Sequence, residues 1–112
     1  MKLRFKDGTV VKQLDPALLP GLVQLAMFVE DELGVDELWI TSVNDGQHKS
    51  GSLHYTGRAV DIRCKYFSGD QVERVVTRFK ALYDRDYDLL WEGRGTDNEH
   101  LHLEFDIGNQ RR

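Results

Sequence analysis

The chain has 112 residues, 40% hydrophobic and 30% charged, with ten Gly, two Pro and a single Cys. That length supports one hydrophobic core, so residues 1–112 read as a single domain. A formal net charge of −4, with Lys and Arg scattered, argues against nucleic-acid binding; the lone Cys64 rules out an internal disulfide framework. No window approaches the roughly 18 apolar residues of a membrane span, and Met1-Lys-Leu-Arg-Phe-Lys is not followed by an apolar run. The expectation is a protein that is cytoplasmic when synthesised, without a signal peptide and without a membrane partner.

Lys2 to Val11 reads as a hairpin, with Leu3 and Phe5 alternating with charges, Asp7-Gly8 as the turn and Thr9-Val10-Val11 as the return. Asp15-Pro16 opens a helical region, and Pro20 marks the start of its longer part. Leu22, Leu25, Ala26, Val29 and Leu33 keep helical spacing, Met27 and Phe28 widen the stripe, and Gly34 is a natural stop. Glu37 to Ser42 reads as a strand, and Val43 to Gly51 as a polar loop carrying His48. Arg58 to Cys64 alternates as a strand: Ala59, Asp61 and Arg63 share one face, Val60, Ile62 and Cys64 the other. Ser68-Gly-Asp-Gln71 is a capping box that leads into a helix with Val72, Val75, Val76, Phe79 and Leu82 on its apolar side. Tyr87 to Glu92 is a further strand. Leu101 to Ile107 is the last, with His102, Glu104 and Asp106 opposite Leu101, Leu103 and Phe105. The fold class expected is α+β: a small, mostly antiparallel sheet with two helices on one face and a polar face opposite.

All four histidines, His48, His54, His100 and His102, lie in or beside two short clusters. The first, Ser52-Leu-His-Tyr-Thr-Gly-Arg-Ala-Val-Asp-Ile62, sets His54 and Asp61 seven residues apart. The second, Asn98-Glu-His-Leu-His-Leu-Glu104, offers a third metal ligand and a base. Imidazole and carboxylate are good Zn²⁺ ligands, and three of them with an open fourth position is the arrangement of catalytic zinc. Such a site hydrolyses amides without a nucleophilic Ser or Cys. His100 and His102 share a strand face, so one can bind metal while the other donates to substrate. Glu99 has the opposite parity and serves as base only if the strand begins after it; Glu104 is the alternative.

These residues resemble the family of zinc D-alanyl-D-alanine carboxypeptidases and L-alanyl-D-glutamate endopeptidases. Ser52, His54, Gly57, Ala59 and Asp61 match the first part of its motif, and Glu99 and His102 the second. The resemblance implies one zinc on His54, Asp61 and His102, with Glu99 as base. The wording around Asp45-Gly46, His48, Ser52 to Ile62 and His100-Leu-His102 is also similar to the N-terminal signalling domain of hedgehog proteins, which shares the fold. By that likeness His48 and His100 flank the metal, while Thr96 stands where the hedgehog acid would be. The acidic run that binds calcium there is reduced to Asp45. Family peptidases carry an Arg shortly after a Thr-Ser pair; here Thr41-Ser42 is followed by Val43-Asn44-Asp45, leaving Arg58, Arg63 or Lys49 as substitutes.

The resulting expectation is a monomeric, endolysin-like zinc metallopeptidase. It would cut peptidoglycan stem peptides with Glu99 as base and with His100 and His48 assisting, and would reach the cell wall after release if phage-derived. The alternative is a non-catalytic, hedgehog-like, zinc-bearing interaction module.

Overall fold

The computed structural model describes residues 2–9, 11–44, 57–83 and 85–105. In chain order these form β1 (Lys2–Phe5), a 3₁₀ turn (Pro16–Leu18), α1 (Leu19–Leu33), β2 (Glu37–Ser42), β3 (Ala59–Arg63), α2 (Gly69–Tyr83), β4 (Tyr87–Glu92) and β5 (His100–Phe105). The sheet order is β1-β2-β3-β5-β4. Its β1–β2 pair is parallel and its other three pairs are antiparallel, so the α+β expectation holds with a mixed sheet.

The helix limits follow from local chemistry. Asp15 accepts the Ala17 N–H at 2.9 Å, and Pro16 supplies the fixed φ of a first helical residue. Pro20 then sits in the first turn of α1, where its missing N–H is not needed. The helix ends at Gly34, which adopts φ 69° and returns its N–H to Glu30 O at 2.9 Å. Ser68 and Gln71 form the reciprocal box at the start of α2: Gln71 N–H donates to Ser68 Oγ at 3.2 Å, and Ser68 N–H to Gln71 Oε1 at 3.0 Å.

Both helices press onto one sheet face. Leu22, Leu25, Phe28 and Val29 of α1 and Val72, Val75 and Phe79 of α2 meet Leu38, Ile40, Val60, Ile62, Leu89, Leu101 and Leu103. Phe79 is fully buried among the rings of Phe28, Tyr83 and Tyr87. Two residues of the expected stripes lie outside this core: Met27 is 52% and Leu82 66% exposed. Each falls at the margin of its helical stripe, where the sheet no longer covers it.

Among the described residues, the expected N-terminal hairpin is not formed. After the Asp7-Gly8 turn, Lys12 and Gln13 direct their N–H groups to the Asn44 side chain, at 2.7 and 2.9 Å. This holds the returning segment at the end of β2 instead of against β1. The hydrogen-bonding edge of β1 goes to β2, with Lys2 opposite Glu37 and Phe5 opposite Ile40. Leu3 and Phe5 remain substantially exposed, as residues of a short edge strand.

Candidate metal centre

Strand parity and register build the site. In the antiparallel β3–β5 pair, Asp61 is opposite His102, Arg63 opposite His100 and Ala59 opposite Glu104. On the far side of β5, Glu92 faces His100 and Leu90 faces His102. Residues directly opposite carry Cβ atoms about 5 Å apart, so long polar side chains on one face must meet. Asp61 Oδ1 lies 3.0 Å from His102 Nδ1, and the other ring nitrogen, Nε2, lies 2.7 Å from Glu104 Oε1. His100 stands at the rim: its Nε2 is 3.0 Å from Glu92 Oε1 and 3.7 Å from Asp61 Oδ1, while Nδ1 is 2.6 Å from Asn98 O. Glu104 is only 4% exposed, so this is the dry end of the cluster.

His54 and His48 lie outside the described residues, as do Ser52, Lys49 and Asp45. Among the described residues, no three His, Cys, Asp or Glu side chains are arranged to hold a metal ion. The structure does bring together two of the three expected ligands. Donors bound tetrahedrally at about 2.0–2.1 Å stand about 3.3 Å from each other, within a few tenths of an ångström of the Asp61–His102 separation. Without metal the same distance is a carboxylate–imidazole hydrogen bond. The carboxylate on the far nitrogen is the usual partner of a zinc-ligating histidine, since it fixes the tautomer that leaves Nδ1 as the electron-pair donor. The described donors therefore fit zinc in kind and in spacing.

Both histidines have both ring nitrogens directed at oxygens: His102 at Asp61 and Glu104, His100 at Asn98 and Glu92. They differ in that the partner of His102 Nε2 is the buried Glu104, whereas the partner of His100 Nε2 is the exposed Glu92. Glu104, the alternative base by parity, holds His102 and is buried.

β5 begins at His100, so Glu99 precedes the strand, the condition for a base at this position. Its carboxylate is held by the indole N–H of Trp91, at 2.7 Å to Oε2, and by Gly95 N–H, at 3.5 Å to Oε1. These contacts turn it toward the sheet end near Cys64 instead of against Asp61 and His102. Burial, with the Glu99 charge adding to it, pushes the Cys64 thiol up to about 12. Thr96 uses its hydroxyl to close the preceding turn, donating to Gly93 O at 2.7 Å.

Gly57 has a structural task. At φ 74°, a Cβ on it would stand 2.5 Å from Gln13 O, and its own carbonyl accepts the Asp15 N–H at 2.9 Å. Arg58 then reaches Asp15 Oδ2 at 3.1 Å and lies over the Phe105 ring. The Ala17 N–H and the Arg58 guanidinium hold the Asp15 carboxyl below its ordinary range. Asp15, read from sequence only as a helix cap, thus also seats the start of β3. Trp91 and Glu104 were likewise not foreseen in these contacts. For Glu104, the available signal was its two-residue spacing from His102 on one strand face. No protein-family model matches the chain, and no curated protein matches it.

Proposed function

We propose that this protein is a zinc metallopeptidase that hydrolyses amide bonds in peptidoglycan stem peptides or related short peptides. The observation that carries the reading is the Asp61–His102 pair on adjacent strands, with the far nitrogen of His102 anchored on a buried carboxylate. His54 would complete the ligand set. Zn²⁺ bound there supplies a Lewis acid and lowers the pKa of a coordinated water toward about 7. Asp61 Oδ1 and His102 Nδ1 would hold the metal, with Glu104 Oε1 accepting the His102 Nε2–H and keeping the ring from rotating. Glu99 would take a proton from the water and pass it to the leaving amine. In the described conformation Oε2 accepts from Trp91 and Oε1 from Gly95, so this role requires Glu99 to turn from those contacts toward Asp61 and His102. His100, at the rim, is available to donate toward the carbonyl oxygen once it releases Glu92.

A second reading, a zinc-bearing interaction module without catalysis, is favoured by one observation: Glu99 is engaged by Trp91 and Gly95. Metal content and muropeptide digestion, measured for the natural chain beside Glu99→Ala and His102→Ala, separate the two. The peptidase reading expects about one zinc per chain, new amino termini from muropeptides, loss of turnover with zinc retained in Glu99→Ala, and loss of zinc in His102→Ala. One bound zinc with no amine released would leave the module; a protein gently purified without zinc would refute both.

A further inference from the structure

The polar face of the sheet continues past the ligand cluster toward the start of β2 and the end of β3. Trp39 points outward, since Leu38 and Ile40 on either side of it are buried in the core, and Arg63 keeps the parity of Asp61. The Arg63 guanidinium lies over the Trp39 ring, 5.1 Å from its centroid. Tyr66 stands beside them on the β3–α2 connection. Arg63 and Lys65 approach its ring centroid to 5.8 and 5.4 Å, yet Tyr66 remains 73% exposed. These rings form part of the wall of an open cavity of about 450 Å³, which is bounded also by the α1–β2 connection. That volume is in the range of small-ligand sites.

We propose that this cavity binds a neutral pyranose sugar, stacked on the exposed ring of Tyr66. Three features of the wall select that class of ligand. A pyranose has an apolar C–H face and a polar rim; the C–H groups match the negative face of an aromatic ring, and tyrosine offers that face at little entropic cost. The charges of the wall cancel: Glu37 is paired with Arg4 at 2.6 Å, leaving Asp36 and Arg63 as one anion and one cation. Asp36 disfavours an anion and Arg63 a cation, whereas hydroxyls donate to the carboxylate and accept from the guanidinium. The cavity is open at Tyr66, which suits one unit of a longer chain. Arg63 lies two residues from Asp61, about 7 Å along β3, so a sugar held here borders a peptide lying over Asp61 and His102. Under the peptidase reading, on which the source of the sugar rests, it belongs to the glycan strand that carries the stem peptide. The sugar site itself requires only binding.

The test is an NMR titration of the isotope-labelled chain with two probes, triacetylchitotriose and maltotriose. Saturable shifts are expected for the Trp39 indole N–H and for the backbone of Tyr66 and Phe67, with the Trp91 indole unmoved. Tyr66→Ala should weaken binding about tenfold, the loss of one stacked ring, and Tyr66→Phe should keep it. Because Tyr66 is exposed, neither exchange should alter the melting curve. No saturable shift with either sugar, shifts centred away from Trp39 and Tyr66, or an affinity unchanged by Tyr66→Ala would each overturn the site. Tighter binding of the chitotriose supports the glycan strand as the source, and an equal or reversed preference removes that source. Sugar binding by a chain that never cleaves muropeptides would refute the catalysis and leave the site standing; cleavage without sugar binding would do the opposite.

Discussion

Gly21→Ala in α1 sets two effects of opposite sign against each other, and the structure decides between them. In an exposed helix interior this exchange stabilises by about 1 kcal/mol, because alanine loses less backbone entropy. At Gly21, however, the added Cβ would stand 2.5 Å from the nearest carbon of the Tyr87 ring. The ring cannot simply swing away: its hydroxyl donates to Ala17 O at 2.6 Å, and its faces and edges meet Phe79 and Phe105, with centroids at 6.3 and 5.5 Å. Overpacking of this kind costs about 1–3 kcal/mol, and displacing the phenol forfeits a hydrogen bond of about 1 kcal/mol. Set against the helix gain, the expected net loss is about 1–3 kcal/mol. Urea unfolding followed by circular dichroism should show a lower midpoint with unchanged slope, and a melting temperature lower by about 4–8 °C per kcal/mol. The same exchange made in a Tyr87→Leu background, where the ring is gone, should lose most of its cost. A higher midpoint for Gly21→Ala in the natural chain would refute the packing argument, because helix propensity would then have outweighed the ring contact.

Gly57→Ala combines a left-handed backbone with a Cβ 2.5 Å from Gln13 O; about 1–2 kcal/mol for the first and about 1–3 kcal/mol for the second give a loss of about 2–5 kcal/mol, read from the same urea curves. Cys64 is buried, and its thiol is pushed up to about 12, so it should resist iodoacetamide at pH 8 in the native protein and react fully in urea. Rapid alkylation of the native chain would show that the β3 end opens. Glu104→Ala removes the anchor of His102 and should weaken zinc binding about 10–100-fold in a competition assay with a chromophoric chelator, with Glu104→Gln, which keeps an acceptor oxygen, closer to the natural chain. Equal zinc affinity in all three would remove Glu104 from the site.

The elements that could be read from sequence are those whose signal is local. The capping box at Ser68 and Gln71, the Asp15-Pro16 start, Pro20 and Gly34 each act within four residues, and each marks a real boundary. The strand parities of β3 and β5 are equally local, and they carry Asp61 and His102 to one face. The pairing of β1 is not local. An alternating run followed by Asp-Gly satisfies a hairpin, but the alternative is decided by Asn44, more than thirty residues away, which takes the N–H groups of Lys12 and Gln13. Leu82 and Met27 show the same limit for helices: periodicity locates the centre of an apolar stripe, while its width depends on what lies opposite.

The same distinction explains which parts of the site were legible. Residue type and parity select Asp61 and His102, because neighbouring antiparallel strands bring same-face residues together wherever the register aligns them. Parity cannot rank His100 against His102, since both point the same way; what distinguishes them is that Glu104 backs one and Glu92 the other. Nor can it orient Glu99. A residue just before a strand takes its direction from the turn, and that turn, from Gly93 to Asn98, is closed by Thr96 and returns Glu99 to Trp91. A Trp91→Phe exchange probes this last contact: it frees Oε2 without altering any proposed ligand. If the indole positions the base, turnover should fall while zinc content stays constant. If the indole instead holds Glu99 away from the metal, turnover should rise.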